Sequence, residues 1–315
     1  ARPAAAGASR PSGLLATGSA DASARLWDAR SGKCLRVFSG HAEFVDSVGF
    51  SPDGRLLLTG SYDGSARLWA VATGACERQL PGAGARVDMN LASFAPDGRS
   101  ILAVSSNVVR TWDVESGRCL VTLKGHSGAV LSAVFSPDGK SVATGSRDGT
   151  ARVWDCRAGS CRHSLEGSES ARSVAFAPDG HCVGIGDEAG LAKLWVMSTG
   201  SVLHTLRGHT FPVNSVAFAP GGELVASGAD DCSVRLWDPV SGTCARRVVM
   251  EGGFVNSVRF DASGSFIAAG CTNRTAVVFP VAEQSKAGEK VLKGHSMLVQ
   301  AVAFAPGGEA EPAAA

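Results

Sequence analysis

Three tryptophans are each preceded by a histidine, a hydroxyl residue and an aspartate at fixed distances. The sets are His41, Thr59 and Asp63; His126, Thr144 and Asp148; and His209, Ser227 and Asp231. These are the residue types of a hydrolase triad, in which imidazole takes a proton from the hydroxyl and the carboxylate orients the imidazole. A catalytic set would occur once, whereas this set is repeated. We therefore expect no catalytic residues and no enzyme.

Other motifs for chemistry are missing from the sequence. Gly184-Ile185-Gly186 lies in a strand-like run and lacks the third glycine and the helix of a phosphate-binding loop. We find no nucleophile elbow and no paired histidines at metal-binding spacing. The sequence thus predicts no cofactor, no metal site and no small-molecule substrate.

Five of the nine cysteines share one position, seven residues after a tryptophan. They are Cys34, Cys76, Cys119, Cys161 and Cys244. Equivalent positions on separate stacked sheets are at least about 10 Å apart, which is beyond disulfide reach. We expect these cysteines to be buried small hydrophobic residues in a reducing compartment, and the protein to be intracellular, cytoplasmic or nuclear.

The tryptophans mark an internal repeat, which must position the recurring polar residues. Trp27, Trp69, Trp112, Trp154, Trp195 and Trp237, continued by Phe279, are separated by 42, 43, 42, 41, 42 and 42 residues. Such a regular period indicates one structural unit repeated seven times.

Each period contains four short segments with strand character. In the second period these are 45–50, 56–60, 66–69 and 75–80, and Asp63-Gly64 between two of them is a strong hairpin signal. The 39 glycines and 13 prolines of the 315-residue chain leave little room for long helices. A single four-stranded sheet cannot bury both faces alone, so the repeats must stack.

The spacing from Gly-His to Trp is similar to that of the WD40-repeat family. His41 precedes Trp69 by 28 residues, and the same distance separates His126 from Trp154 and His209 from Trp237. The resemblance covers nearly the whole chain. It implies an all-β fold, a seven-bladed β-propeller of four-stranded antiparallel blades around a central channel.

The ends of the chain predict how the ring closes. The sequence begins with a second strand at 14–18 and ends with a first strand at 298–304. We therefore expect the C-terminal strand to pair with the N-terminal three strands. The predicted organisation is a flexible tail at 1–12, a propeller at 13–306 and a second tail at 307–315.

The resemblance also implies a buried hydrogen-bonded tetrad of histidine, Ser or Thr, aspartate and tryptophan. Trp69, Trp154 and Trp237 complete the three sets above. Blade 1 offers Thr17, Asp21 and Trp27, with His295 supplied from the other end of the chain. Blades 3, 5 and 7 depart from the pattern, and we expect these blades to be less stable than the others. At the Gly-His position they carry Ala83 after Gly82, Gly167-Ser168 and Gly252-Gly253.

Composition restricts the possible partners. The formal charge is +1 and hydrophobic residues make up 44% of the chain. A near-neutral charge does not favour nucleic-acid binding, and no apolar run reaches the roughly 18 residues that a membrane helix needs. The expected partners are other proteins, recognised through peptide motifs.

In the WD40 family, peptides usually bind at the end of the channel where the first strands begin, which we call the channel face. By alignment on the family pattern, it comprises Phe44, Asp46, Tyr62, Asp88, Asn90, Leu131, Arg147, Arg172, Glu188, Asn214, Asp230, Phe254, Asn256 and Gln300. Phe44 and Tyr62 should be neighbours and could anchor a partner side chain. Arg147 and Arg172 could together hold a carboxylate or phosphate.

Two functions are consistent with this pattern. The first is a non-catalytic scaffold whose channel face captures peptide segments within an assembly. The alternative is a substrate receptor of a cullin-RING ubiquitin ligase, because Trp27-Asp28-Ala29-Arg30 and Trp154-Asp155-Cys156-Arg157 resemble the Trp-Asp-x-Arg motif by which such receptors dock their adaptor. An arginine at that position also suits an exposed turn.

Overall fold

The computed structural model describes residues 13–81, 91–166, 169–251, 253–283 and 288–307. The expected tail at 1–12 lies outside these ranges, as does the expected tail at 307–315 except for Gly307. The described residues form 28 strands and no helix, so none of them belongs to a helix that could span a membrane.

The strands are short, most of them five or six residues long. They are β1 (Leu14–Ser19), β2 (Ser23–Asp28), β3 (Cys34–Ser39), β4 (Val45–Phe50), β5 (Leu56–Ser61), β6 (Ser65–Ala70), β7 (Cys76–Pro81), β8 (Leu91–Phe94), β9 (Ser100–Ser105), β10 (Val108–Asp113), β11 (Cys119–Leu123), β12 (Val130–Phe135), β13 (Ser141–Ser146), β14 (Ala151–Asp155), β15 (Cys161–Leu165), β16 (Ala171–Phe176), β17 (Cys182–Asp187), β18 (Ala192–Val196), β19 (Ser201–Leu206), β20 (Val213–Phe218), β21 (Val225–Ala229), β22 (Ser233–Trp237), β23 (Cys244–Val249), β24 (Val255–Phe260), β25 (Phe266–Cys271), β26 (Thr275–Pro280), β27 (Lys290–Lys293) and β28 (Val299–Phe304).

Seven antiparallel four-stranded sheets confirm the predicted propeller. Blade 1 has the order β28-β1-β2-β3, and each later blade takes four consecutive strands, from β4–β7 in blade 2 to β24–β27 in blade 7. The predicted closure is also confirmed, since β28 pairs with β1 through contacts such as Leu15 with Phe304 and Thr17 with Val302. The innermost strands of neighbouring blades adjoin one another around the ring.

The core lies between the blades. Seven clusters of buried apolar residues each combine side chains of two neighbouring blades. Trp69 of blade 2, for example, packs with Leu14, Leu26 and Phe38 of blade 1. Since each blade face is covered by a neighbouring blade, burial depends on a complete ring.

The cysteines depart from the prediction. Cys76, Cys119, Cys161 and Cys244 are exposed and Cys34 is half-buried, so the expectation that these five are buried is wrong. They begin the outermost strand of their blades, which is the strand least covered by neighbours. The fully buried cysteine is Cys271 of blade 7, and all nine cysteines are free thiols.

The turn between the second and third strands requires a left-handed backbone. Gly64 and Gly149 adopt it at φ 79° and 81°, and Ala22 and Cys232 occupy the same position at φ 64° and 59°. The left-handed region is unfavourable for side chains with a Cβ atom. The fold therefore imposes this conformation where the sequence does not favour it.

Exchanging glycine and alanine at this turn should change stability in opposite directions. We expect Ala22→Gly to raise the free energy of unfolding by roughly 0.5–1 kcal/mol, because relief of left-handed strain outweighs the extra freedom of glycine in the unfolded chain. Gly149→Ala should lower it by about 1 kcal/mol. Urea titration would measure both, and a shift of the same sign in the two variants would contradict the strain argument.

Candidate functional site

The structure brings all four predicted tetrads together. In blade 1, Trp27 Nε1 donates to Thr17 Oγ1 at 2.8 Å, and this oxygen lies 2.7 Å from His295 Nε2. His295 Nδ1 lies 2.9 Å from Asp21 Oδ2. Equivalent chains of contacts, each shorter than 3 Å, connect the tetrad residues of blades 2, 4 and 6. The blade 1 tetrad therefore joins the two ends of the described chain.

One protonation state satisfies every group in the tetrad. Burial lowers the pKa of each of the four histidines, while hydrogen bonds to the aspartates oppose the shift. With a neutral imidazole, the indole donates to the hydroxyl, the hydroxyl donates to Nε2, and Nδ1–H donates to the carboxylate. Burial raises the pKa of Asp21, but hydrogen bonds from Ser23 and His295 outweigh it and hold the pKa below its usual value.

The aspartate also joins two loops. In blade 2, Asp63 Oδ2 accepts from the backbone N–H of Ala42 at 3.1 Å, and Oδ1 accepts from the hydroxyl of Ser65 at 2.7 Å. The same contacts recur in the other tetrad blades. Thr17, Thr59, Thr144 and Ser227 are each 0% exposed, and their hydroxyls are engaged within the tetrads. The sets therefore have structural roles.

Arginines stack on three of the tetrad tryptophans, a feature that the motif analysis missed. Arg67, Arg152 and Arg235 each place the guanidinium carbon 5.8–5.9 Å from the indole centroid of the tryptophan two residues later. A Cβ on Gly40 would lie 2.5 Å from Arg67 Nη1. The glycine of the Gly-His pair thus makes room for the stacked arginine.

In blade 7, different residues occupy the positions of the stacked arginine and the tetrad. The β22–β23 register places Met250 and Glu251 where Gly40 and His41 lie in blade 2, so the assignment of Gly252-Gly253 to the Gly-His position is wrong. Met250 is buried against Val277 and Phe279. Apolar packing therefore replaces the stacked arginine and the tetrad.

Blade 5 replaces the tetrad with an ion pair. Ile185 occupies the hydroxyl position, and among the described residues Trp195 Nε1 has no hydrogen-bond partner. Lys193 Nζ instead lies 3.1 Å from Asp187 Oδ2, with both side chains almost fully buried. In blade 3, Leu102 is the corresponding apolar residue, whereas Ala83 and Gly82 lie outside the described ranges.

Serine hydroxyls connect the inner strands of neighbouring blades. Ser47 Oγ accepts from Ala92 N at 2.8 Å, and Ser132, Ser173, Ser215 and Ser257 accept in the same way from the following blade at 3.0–3.3 Å. These bonds bridge five of the seven junctions. The inner strands that they connect surround a central channel with a volume of about 990 Å³.

Most of the predicted channel-face residues meet around this channel. Those lining it are Asp46, Tyr62, Leu131, Arg147, Arg172, Glu188, Asn214, Asn256 and Gln300. Phe44 contacts Tyr62 in an edge-to-face arrangement with ring centroids 6.1 Å apart. Asp88 and Asn90 lie outside the described residues.

A hydrogen-bonded belt crosses blades 5, 6, 7 and 1 at the channel face. Arg172 donates to both carboxylate oxygens of Glu188 at 2.6 and 2.7 Å and to Asn214 Oδ1 at 2.6 Å. The side-chain amide of Asn214 donates to Asp230 at 2.6 Å. Arg172 is therefore already engaged, so it does not form the free anion clamp with Arg147 that the sequence predicted.

The belt continues into blades 7 and 1. Asn214 Nδ2 also donates to the carbonyl of Val255 at 3.1 Å. Asn256 Nδ2 donates to the carbonyl of Val299 at 2.9 Å and to Gln300 Oε1 at 3.2 Å. These bonds hold the side chains of three consecutive blades in fixed orientations.

Exposed apolar side chains precede the inner strands at the same end of the ring, in blades that overlap those of the belt. Phe211, Phe254, Met297 and Phe44 are 58%, 49%, 45% and 41% exposed, and they precede the inner strands of blades 6, 7, 1 and 2. We call these four residues the apolar arc. Phe211 and Met297 were missed because they lie in the loops, two residues before the strands.

The Trp-Asp-x-Arg segments have a local structural explanation. Asp28 Oδ1 accepts from the backbone N–H groups of Arg30 and Ser31, each at 2.8 Å. Asp155 Oδ1 makes the same contacts with Arg157 and Ala158. The aspartate of the motif therefore caps a turn, and this role does not require an adaptor.

Removing one tetrad hydroxyl should cost more than a similar change in a blade without a tetrad. We expect Thr59→Val to lower the free energy of unfolding by roughly 2–4 kcal/mol, because the buried indole N–H of Trp69 and the buried Nε2 of His41 both lose their partner. Ile185→Val at the equivalent position of blade 5 should cost about 0.5–1.5 kcal/mol. Chemical denaturation would compare them, and equal losses would show that the tetrad adds no specific stability.

The tetrads should make the fold sensitive to acid. The unfolded chain takes up protons on histidine below about pH 6.5, while the folded imidazoles resist protonation, so this stability is present above pH 6.5 and is lost as the pH falls. Melting temperatures between pH 8 and 5.5 would measure the effect in an Asp46→Asn background, because the raised pKa of Asp46 acts in the opposite direction.

A single tetrad histidine should account for part of this pH dependence. His126→Gln should reduce the pH-dependent loss by roughly a quarter, since one of four imidazoles is removed. His181→Gln, at an exposed histidine, should leave the loss unchanged. If both substitutions reduced the pH-dependent loss equally, the tetrad histidine would not be its source.

The comparisons with known proteins agree with this architecture. The family model for the WD domain, G-beta repeat (WD40), matches residues 32–70, 117–155, 200–238 and 243–279. The chain is 38% identical over 87 residues to THO complex subunit 6 of Arabidopsis thaliana, covering 27% of the chain and 23% of that protein. It is 33% identical over 157 residues to the transcriptional corepressor LEUNIG_HOMOLOG of the same organism, covering 49% and 19%.

A third relative is a nuclear distribution protein. The chain is 37% identical over 185 residues to PAC1 of Gibberella zeae, covering 51% of the chain and 40% of that protein. The chain therefore matches between 19% and 40% of the length of these relatives. Four matched repeats and seven four-stranded blades lead to one conclusion: the chain belongs to the WD40-repeat family of β-propellers.

Proposed function

We propose that this protein is a non-catalytic interaction scaffold that binds peptide segments of partner proteins on its channel face. The single observation that carries the proposal is the apolar arc. Its four side chains are each more than two-fifths exposed and occupy one end of four consecutive blades. Clustered exposed apolar groups favour a partner surface, because water contact with them is unfavourable.

The polar belt beside the arc supports the same function. Arg172, Asn214 and Asn256 are held by hydrogen bonds to neighbouring blades, so their orientations are fixed before a ligand arrives. Preorganised polar groups lower the entropy cost of binding. An extended peptide could place apolar side chains on the arc and hydrogen-bonding groups over the belt.

The relatives are consistent with an assembly role. One is named as a subunit of a complex and another as a corepressor. The nine free thiols suit a reducing compartment, and we place the scaffold in the cytoplasm or the nucleus. The Trp-Asp-x-Arg segments add no support for adaptor docking, because their aspartates are used in turns.

Two matched variants test the scaffold proposal. Phe44→Ala/Phe254→Ala removes two residues of the apolar arc, whereas Leu120→Ala/Val202→Ala removes two comparably exposed residues on outer strands. In affinity purification with mass spectrometry, we expect partners of the wild type to fall at least tenfold with the first variant, at roughly 1 kcal/mol or more per anchor. The outer-strand variant should retain them.

Thermal melting serves as the folding control for both variants. Each should melt close to the wild-type temperature, since exposed side chains contribute little to the core. Partners retained by the arc variant and lost by the outer-strand variant would move the binding surface to the outer strands and refute the proposed site.

A further inference from the structure

The polar belt stops at one carboxylate. Arg172, Asn214 and Asn256 each make a side-chain hydrogen bond to the following blade, and Gln300 receives one from Asn256. Asp46 holds the equivalent position in blade 2. It makes no hydrogen bond or ion pair with the described residues, although it lines the channel.

Asp46 is surrounded by groups that do not neutralise it. Burial alone raises its pKa to about 7. The other charged groups lining the channel are Arg147, Arg172, Glu188 and Arg259, and Tyr62 also lines it. Arg172 is paired with Glu188, and Arg259 donates to Ser215 and to the carbonyl of Val258. Burial is thus not offset by an opposite charge among the described residues, so the carboxylate bears a desolvation cost there.

One aromatic residue lies close to this carboxylate in the chain, and a second packs on the first and lines the same channel. Phe44 lies two residues before Asp46 and is 41% exposed, and its ring packs edge-to-face on Tyr62. Aromatic faces attract cations, and they also provide apolar contact for the methylene stem of lysine or arginine. A carboxylate beside accessible rings is therefore complementary to a long basic side chain.

Resting on the function proposed above, we propose that Asp46 is the subsite for one lysine or arginine side chain of the bound peptide. The basic group forms an ion pair with the Asp46 carboxylate, and its stem lies against Phe44 and Tyr62. Gln300, the last member of the belt, lies in the neighbouring blade, so the peptide backbone can follow the belt on one side of this anchor.

The channel itself limits how far such a side chain enters. Arg259 occupies the fifth position of its inner strand, whereas Asp46 occupies the second position of β4. Three residues correspond to about 10 Å along a strand. The positive charge of Arg259 therefore repels a basic group that enters the channel more deeply than Asp46. At the mouth of the channel, the Asp46 carboxylate repels an acidic side chain.

Ion pairing at Asp46 makes binding depend on pH. With a pKa of about 7, the free carboxyl group is mostly protonated at pH 6 and mostly charged at pH 8. A cationic ligand prefers the charged form, so its affinity increases as the pH rises and binding releases a proton. Lysine and arginine remain charged throughout this range, which leaves Asp46 as the titrating partner of the pair.

A random dodecapeptide phage library, selected against wild type and Asp46→Asn, tests the proposal. Wild-type selections should be enriched in lysine or arginine, and selections on Asp46→Asn should not. A recovered peptide is then synthesised with its basic residue replaced by a neutral isostere, which is citrulline where that residue is arginine. The neutral peptide should bind wild type at least tenfold more weakly and Asp46→Asn less than twofold more weakly, by titration calorimetry.

Two controls separate this subsite from general charge effects. Asp97→Asn removes one negative charge from a turn outside the channel lining, and it should keep the preference for a basic residue. On wild type, the affinity of the basic peptide should rise about tenfold from pH 6 to pH 8, following the ionised fraction of Asp46. Asp46→Asn should abolish this rise.

The possible failures are distinguishable. Peptides that lose binding in Phe44→Ala/Phe254→Ala but show no basic preference would overturn the Asp46 subsite and leave the scaffold function standing. If selections on Asp46→Asn kept the preference for lysine or arginine, the subsite would also be overturned and the scaffold function would stand. Recovery of no peptide, or only of peptides insensitive to Phe44→Ala/Phe254→Ala, would overturn the proposed function and the subsite together.

Discussion

A four-stranded blade has two faces and cannot cover either of them by itself. All other features of this protein depend on that constraint, because the apolar faces are buried only where two blades meet. The seven core clusters follow the seven junctions, and Trp69 packs on blade 1 rather than within its own blade. The last junction exists only because β28 completes blade 1 beside β1. Closure is therefore a condition for burial throughout the ring.

Polar networks within and between the blades determine how they fit together. Each tetrad satisfies an indole, a hydroxyl, an imidazole and a carboxylate in one connected set, so a buried polar chain carries no unpaired member. The serine bonds at the inner strands then connect most blades to the next one. Blade 5 uses the Lys193–Asp187 ion pair instead, and blade 7 uses the packing of Met250. Different side chains thus stand in for the tetrad in blades 5 and 7, and in blade 5 Trp195 Nε1 has no hydrogen-bond partner among the described residues.

The channel face combines two kinds of surface because its blades are unequal. Blades 5, 6, 7 and 1 contribute side chains that hydrogen-bond to one another, and blades 6, 7, 1 and 2 expose large apolar groups, so blades 6, 7 and 1 contribute to both surfaces while blades 5 and 2 contribute to one each. The belt ends at Asp46, a carboxylate that has no hydrogen bond or ion pair with the described residues and lines the channel together with Tyr62.

The sequence alone predicted the blade number, the strands, the ring closure and the membership of the tetrads, because these depend on local turn signals and a constant period. It misplaced the five outer-strand cysteines and the Gly-His position of blade 7, since exposure and register depend on which neighbouring strand covers or pairs with a residue. It also missed Phe211 and Met297 and the engagement of Arg172. Those side chains belong to different blades, and only the closed ring brings them to one end of the channel.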